Sequence, residues 1–391
     1  MVINRREFLG IAGGLLIGRK AFSLDRLLQD AKIVTLLKNG SNETRFDMLI
    51  LSEGYTKEKE FVKDAESIVK AFDDHSILKE DKPLINVHYA YLQSTKEWTT
   101  DSDGSGTPFK VTCDSEKTLQ LGNEKLRDEL KAQAKADLPC IILRENGERV
   151  TGYSGTDGVL AVVTRMNRFF HEFGHGADLE DEYAKTEDSV NAINTSTDEK
   201  NPMWKPAIGK AKGIGIYPAK DSKGQVIKGY WKGEEQDCLM YKTKDGIDWG
   251  PLCSNGLHNY FRRFAKCIES ATEEKVLEIG KGNPLGIELK VTPTVKYSVN
   301  VQAWYCTGSD EELTKTQQGF PAILSAADFK DEKKWKKATV AQKGKGLEVK
   351  ATLTPGSHLV VVSAYDPNPA ILIDPNGDTK DKRAYRVDVK E

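Results

Sequence analysis

The sequence predicts an α/β protein: a larger domain with a mixed sheet and a helix that carries the candidate site, followed by a small all-β sandwich. Three observations carry this prediction. Buried strands alternate with amphipathic helices over residues 24–280, Gly and Pro punctuate residues 279–286, and strand patterns without helices fill residues 287–391. Alternating strands and helices are typical of layers packed on one sheet. Period-two patterns separated by turn signals are typical of an antiparallel sandwich.

Each element of the larger domain is predicted from a local pattern. Strands are expected at 45–51, 87–92 and 140–143, and helices at 56–72, 115–136 and 257–268. Residues 158–163 lead into the helix that carries the candidate site. Thr56 is the expected N-cap of the first helix, because its hydroxyl can accept a hydrogen bond from an amide at the helix start. The periodicity fades between residues 178 and 252, and so long an irregular stretch in a compact domain is usually functional.

Residues 1–23 are expected to be an export signal. Arg5 and Arg6 precede a short apolar run from Phe8 to Ile17, and a small-x-small cleavage site ends at Ser23. These are the parts of a secretory signal, and the paired arginines resemble a twin-arginine signal. A general secretory leader is the alternative. Either way, the sequence predicts an exported protein, whether periplasmic, cell-surface or secreted.

Charge and cysteine content narrow the class of protein. Lys+Arg (57) and Asp+Glu (59) nearly cancel, which argues against a nucleic-acid partner. Beyond the signal, we find no segment apolar enough to span a membrane. None of the six cysteines forms a CxxC pair, which argues against a cysteine-based zinc site. A disulfide between Cys238 and Cys253 is the favoured pairing, with buried thiols as the alternative, since twin-arginine cargo folds in a reducing cytoplasm.

The candidate site is the sequence His171-Glu172-Phe173-Gly174-His175 on a predicted helix. Positions i and i+4 lie one turn apart on the same face of a helix, so His171 and His175 can bind one Zn²⁺. Glu172 follows the first histidine and can act as general base on a metal-activated water. A chance HExxH on a surface helix is the alternative, and the apolar residues before the motif argue against it.

A catalytic zinc needs a third protein ligand. Asp181 lies six residues after His175, which is the spacing of the third ligand in metzincins, and Glu182 is the second candidate. In metzincins a turn glycine stands three residues after the second histidine, but Asp178 occupies that position here. His258 could also bind a metal, although a single histidine on an amphipathic helix is more often structural.

Two further features belong to a complete site of this kind. Metzincins place a methionine turn beneath the metal; Met240 is the expected equivalent and Met203 the weaker one. Tyr183 and Tyr241 could donate a hydrogen bond to a developing oxyanion, although ordinary packing explains each equally well.

HEFGH is followed by Leu179–Tyr183, and the chain also contains the segments Ile50–Thr56, Asp237–Met240 and Leu252-Cys253. With these segments, the chain resembles the IgA-peptidase family of secreted bacterial zinc metallopeptidases over about residues 33–270. The resemblance implies a zincin fold, zinc and endopeptidase activity, with His171, His175 and Asp181 as ligands and Glu172 as base. The chain departs from the family pattern at Asp178-Leu179, where the family has Gly-Leu and its usual spacing between HExGH and the DEY element is one residue longer. Cleavage of immunoglobulin is not implied.

Together these features predict an exported zinc-dependent endopeptidase that acts on a protein or peptide substrate. The alternative is a non-catalytic surface protein that keeps the metal site and binds a glycan or a protein. Trp304 and Tyr305 in the C-terminal part motivate this alternative, if their rings are exposed.

Overall fold

The structure, a computed structural model, describes residues 24–390 with gaps. The gaps are 116–117, 144–151, 156–157, 163–165, 184–191, 222, 236–237, 245, 272–276, 281, 295–298, 310–311, 314–334, 344–345, 367–373 and 375–379. The expected export signal, residues 1–23, lies outside the described residues.

Helices and strands alternate in the first two thirds of the chain. The helices are α1 (Leu24–Asp30), α2 (Glu58–Ala71), α3 (Ser76–Asp81), α4 (Glu124–Ala134), α5 (Met166–Gly176) and α6 (Pro251–Phe264). The strands are β1 (Ile33–Leu37), β2 (Phe46–Glu53), β3 (Ile85–Ala90), β4 (Thr112–Cys113), β5 (Leu119–Gln120), β6 (Leu138–Leu143), β7 (Tyr153–Gly155), β8 (Gly158–Val162), β9 (Thr195–Ser196), β10 (Ile214–Lys220) and β11 (Val226–Glu234).

Six of these strands form one sheet in the order β1-β3-β2-β6-β8-β7. The pairs among β3, β2, β6 and β8 are parallel, whereas β1 and β7 pair antiparallel at the two ends. Along β2, Met48 and Ile50 join one buried cluster, while Leu49 and Leu51 join another. Helices α2, α5 and α6 contribute to the first cluster, and α1 and α4 to the second. The sheet is therefore mixed and covered on both faces, as expected for an α/β domain.

Three local predictions were wrong. The helix expected at 115–136 begins only at Glu124, because Asn123 caps it with its side chain and the short strands β4 and β5 precede it. The first long helix begins at Glu58 after Lys57, so Thr56 is not its N-cap. The stretch from 178 to 252 is not wholly irregular, since β10, β11 and β9 form a three-stranded antiparallel sheet within it.

The C-terminal part is built from strands. They are β12 (Ile268–Ala271), β13 (Leu277–Gly280), β14 (Leu285–Val291), β15 (Asn300–Thr307), β16 (Lys336–Lys337), β17 (Thr339–Lys343), β18 (Gly346–Ala351), β19 (Gly356–Tyr365) and β20 (Lys380–Lys390). They form one sheet ordered β12-β14-β18-β17 and another ordered β13-β20-β19-β15-β16. Side chains of both sheets share one buried cluster. β12 precedes the linker expected at 279–286, whereas β13 and β14 run into it. The sandwich itself stays a prediction.

Buried charges join the C-terminal part to the first part. On α6, the Nε of Arg262 donates to Asp366 Oδ2 at 2.9 Å, and His258 lies between Asp366 and Asp81, with its Nδ1 2.8 Å from Asp81 Oδ2. Burial acts to lower the pKa of His258, but the two carboxylates outweigh it and raise that pKa to about 9. His258 is therefore held in an ion-pair network, in agreement with its structural interpretation.

Among the described residues, no helix is both long enough and apolar enough to cross a membrane.

Candidate metal and catalytic site

Helix α5 carries the candidate site on its buried side. Phe169, Phe170 and Phe173 are fully buried in the core beneath the sheet and fix the helix in place. His171 and His175 are one turn apart, and their ring centroids lie 4.9 Å from each other. The predicted helix and the predicted pairing of the two imidazoles on one face are therefore present.

Backbone carbonyls orient both histidines. His171 Nδ1 lies 2.8 Å from the carbonyl oxygen of Leu239, and His175 Nδ1 lies 2.8 Å from that of Leu179. A carbonyl oxygen only accepts hydrogen bonds, so each Nδ1 carries the hydrogen and donates it. In the neutral ring, Nε2 is then left with a free lone pair, which is the state of a metal-binding histidine.

Asp181 completes a set of three donors. Its Oδ1 lies 3.2 Å from Nε2 of His171 and 3.2 Å from Nε2 of His175. This oxygen is buried and has no hydrogen-bond partner among the described residues. Three electron-rich atoms that converge in this way fit a cation between them, so the residues present suit a zinc ion.

The electrostatics of the three groups agree with a cation site. Burial acts to lower the pKa of His175, but the carboxylates of Asp181 and Glu172 outweigh it and raise that pKa to about 9. Burial acts to raise the pKa of Asp181, but the two imidazoles hold it well below its usual range. The carboxylate is therefore ionised at neutral pH, and the site favours positive charge.

The backbone around Asp181 is fixed on both sides. The Glu180 amide donates to Asn194 Oδ1 at 3.1 Å, and Asn194 Nδ2 returns a bond to the Glu180 carbonyl at 2.7 Å. The hydroxyl of Tyr230 donates to the Asp181 carbonyl oxygen at 2.8 Å. These contacts come from β11 and from the segment before β9. Both lie within residues 178–252, the stretch that was expected to be irregular.

The turn after α5 is made without a glycine. Asp178 has φ +63°, the left-handed conformation that a turn glycine would supply. The Leu179 amide donates to the Gly174 carbonyl at 3.1 Å and the Asp178 amide donates to the His175 carbonyl at 3.0 Å, which is the Schellman pattern of a helix C-terminus. The turn directs the chain back so that Leu179 can accept from His175 and Asp181 can face the histidines.

We expect Asp178→Gly to leave the metal affinity of the candidate site unchanged and to change the free energy of unfolding by less than about 1 kcal/mol. Relief of the left-handed conformation, about 1 kcal/mol, offsets the lost ion pair with the partly exposed Arg263. Asp178→Val should lower stability by about 1–2 kcal/mol, because a β-branched residue fits this conformation poorly. Chemical denaturation with metal analysis measures both variants. Equal stability of the Val variant and the wild type would contradict the turn geometry.

A methionine lies directly beneath the motif. A Cβ added to Gly174 would approach Met240 Sδ to 2.6 Å, so the glycine between the two histidines leaves the room that Met240 fills. Met240 is fully buried and its carbonyl accepts from the Glu182 amide at 3.1 Å. Met203 is 39% exposed. Of the two candidate methionine turns, Met240 therefore lies at the site.

Glu172 is buried beside the end of the sheet. A Cβ at Gly152 would come within 2.5 Å of Glu172 Cγ and 2.7 Å of Glu172 Oε1. Only a glycine at position 152 therefore leaves space for the Glu172 side chain where it now lies. Gly152 directly precedes β7, the end strand of the sheet. Sequence reasoning missed Gly152, since a single glycine at a strand start carries no recognisable signal.

Tyr183 packs on the site, and Tyr241 lines the cleft beside it. The Tyr183 ring stacks on His171, with centroids 6.1 Å apart. Burial, with the carboxylates of Asp181 and Glu172, raises the pKa of the Tyr183 phenol, so it stays a hydrogen-bond donor at neutral pH. Tyr241 packs under the ammonium group of Lys232. Both rings line an open cleft of about 520 Å³ next to His171, together with residues 242–244.

Glu182 belongs to a different group of side chains. It is fully buried, with Oε2 3.3 Å from Lys232 Nζ and Oε1 3.3 Å from Cys238 Sγ. It therefore points away from the histidines, and the structure favours Asp181 as the third donor. Cys238 and Cys253 are free thiols with their sulfur atoms 3.7 Å apart. The predicted pair lies side by side, but the predicted disulfide is not formed.

A mixed α/β domain and three converging donors define a protein with a candidate metal site on an HExxH helix. Residues 34–220 match the family model described as IgA Peptidase M64. This match confirms the resemblance to the IgA-peptidase family that was found in the sequence. The match includes all three donors and Glu172, and it supports a peptidase with a metal. A search of curated proteins gave no match.

Proposed function

We propose that the protein is an exported zinc-dependent endopeptidase, with zinc bound by His171, His175 and Asp181 and with Glu172 as general base. The observation that carries this proposal is the convergence of Asp181 Oδ1 on both histidine Nε2 atoms, one turn apart on a helix that also presents Glu172. The family match supports peptidase activity. Export to the periplasm, cell surface or medium rests on the sequence of residues 1–23.

Each residue of the site has a task in amide hydrolysis. Bound zinc would act as a Lewis acid that lowers the pKa of water and polarises the scissile carbonyl. Glu172 accepts the proton of the attacking water and then delivers it to the leaving amine. The Tyr183 phenol, still protonated at neutral pH, can donate a hydrogen bond to the developing oxyanion. The carbonyls of Leu239 and Leu179 keep both imidazoles oriented.

The sheet favours an extended peptide as substrate. β7 pairs with β8 on one side, and no described strand pairs with its other side. Such a strand offers backbone N–H and C=O groups to which an extended peptide can add as a further strand. Gly152, at the start of β7, lies against Glu172. A peptide paired with β7 would therefore pass next to the general base.

The binding-protein alternative loses part of its support. It depended on exposed rings in the C-terminal part, but Trp304 is buried in a small cluster with Trp335, Cys306 and Leu359. Tyr305 is half-buried. Neither ring is presented as an open platform for a glycan. The catalytic proposal is therefore the better supported of the two.

The test is cleavage of a proteome-derived peptide library by the full-length protein, with metal content measured in parallel. We expect cleavage to stop when 1,10-phenanthroline removes zinc and to return when zinc is restored. Thermal unfolding of the metal-depleted protein is the control, because it separates loss of zinc from loss of fold. Undiminished cleavage by metal-free protein would refute a metallopeptidase, and a zinc-loaded protein that cleaves nothing would favour the binding protein.

A further inference from the structure

A second group of metal-binding side chains lies behind the candidate site. Glu182, Glu234, Cys238 and Cys253 are all buried, and each offers one donor atom within 4.8 Å of the others. They come from four places in the chain: the residue after Asp181, the last residue of β11, the turn that leads to Met240, and the first turn of α6. The mechanism proposed above uses none of them.

The distances among Glu182, Cys238 and Cys253 match three corners of a tetrahedral site, and Glu234 offers a fourth donor within 4.8 Å of them. The two sulfur atoms lie 3.7 Å apart, and Glu182 Oε1 lies 3.3 Å from Cys238 Sγ and 3.5 Å from Cys253 Sγ. Around a tetrahedral zinc with Zn–S of about 2.3 Å and Zn–O of about 2.1 Å, neighbouring donors stand roughly 3.3–3.8 Å apart. A disulfide would need about 2.05 Å between the sulfur atoms.

The charges of this group also favour a cation. Glu182 and Glu234 are two buried carboxylates, and Lys232 contacts Glu182 through the oxygen that faces away from the thiols. The Oε1 of Glu234 accepts the backbone amides of Leu252 and Cys253 at 2.6 and 3.1 Å. With both thiols ionised, a divalent cation and Lys232 would leave one net negative charge. That charge would face the positive N-terminal end of α6.

We propose that Glu182, Glu234, Cys238 and Cys253 bind a structural zinc ion, separate from the ion in the candidate catalytic site. Binding would release the two thiol protons to solvent and form two Zn–S bonds, without any change of oxidation state. The ion would fix Glu182, whose neighbour is Asp181, and it would fix the turn whose Leu239 carbonyl accepts from His171. The structural zinc would thus keep Asp181 in place and keep the ring of His171 oriented.

Metal counting on the full-length protein tests this proposal. We expect about two zinc ions per chain in the wild type, and about one in each of Cys238→Ser, Cys253→Ser and His171→Ala. Cys140→Ser is the matched control, since it replaces another fully buried thiol that belongs to neither group, and it should keep both ions. Metal counting does not depend on peptidase activity, so the second zinc site can be tested even if the protein cleaves no peptide.

Replacing zinc by cobalt shows which ion is bound by the thiols. This measurement can be made on the wild type, so it does not require that the cysteine variants fold. Thiolate-to-cobalt charge-transfer absorption should appear in the wild type, persist in His171→Ala and vanish in Cys238→Ser. One zinc per chain without this absorption would overturn the proposal. The thiols of Cys238 and Cys253 are then tested with a thiol reagent in the unfolded protein. If both react, the group is a hydrogen-bonded thiol–carboxyl cluster. If neither reacts, the two cysteines form a disulfide. Either result excludes the second ion.

Discussion

Replacing Glu172 by glutamine is expected to lower kcat/KM for peptide hydrolysis by about 10²–10⁴-fold while zinc stays bound. This range is the typical contribution of a positioned general acid–base group. Glutamine keeps the shape of the buried side chain but cannot accept a proton from water. The measurement is initial-rate kinetics on a cleaved library peptide, together with metal analysis of the same preparation. Wild-type rates in a zinc-loaded Gln variant would remove Glu172 from the mechanism.

A second variant separates the position of this carboxylate from its chemistry. Gly152→Ala keeps Glu172 but places a methyl group where the Glu172 side chain now lies. We expect the carboxylate to move and the rate to fall, again with zinc retained. If Gly152→Ala is fully active, the close approach at the start of β7 has no part in catalysis.

Asp181→Ala is expected to lower the affinity for the catalytic zinc by more than about a hundredfold and to abolish cleavage at limiting metal. Removal of an outer-shell partner alone typically costs about 10–100-fold, and Asp181 is one of only three proposed protein ligands. The Asp181 carbonyl still accepts from Tyr230 in the Ala variant, so the fold should stay intact. Metal titration against a competing chelator and thermal unfolding measure the two effects.

Glu180→Ala is the matched control for Asp181→Ala. It removes a half-buried carboxylate from the adjacent residue, while the backbone bonds of Glu180 to Asn194 remain. Zinc affinity should then change little. Full zinc retention in Asp181→Ala, or an equal loss in both variants, would show that Asp181 does not bind the ion directly.

The parts of the site that sequence predicted are those fixed by local geometry. His171, Glu172 and His175 follow from helical spacing alone, and Asp181 follows from a fixed distance along the chain. The turn at Asp178 looked anomalous because it lacks glycine. The structure shows that aspartate adopts the same left-handed conformation there, which aspartate tolerates better than most residues.

The parts that sequence did not predict depend on contacts between distant segments. No short motif joins Glu182, Glu234, Cys238 and Cys253, which only the fold brings together. The absence of CxxC pairs therefore argued against a cysteine-based zinc site in the sequence. The hairpin of β10 and β11 was missed because most of its side chains are exposed or half-buried, so they carry little hydrophobic period. The start of α4 was misplaced because Asn123, a cap, lies inside an otherwise helical pattern.

The buried network on α6 has a consequence for how this protein could evolve. Asp366 directly follows β19 of the C-terminal sheets, yet it pairs with Arg262 and, together with Asp81, flanks His258 in the core next to the helix of the candidate site. A buried ion pair that loses one partner typically costs about 3–5 kcal/mol, a large share of the stability of a whole domain. If recombination replaced the C-terminal sheets, the new segment would need an acidic residue at the position of Asp366. The two parts are therefore expected to be inherited together, as one cooperative folding unit.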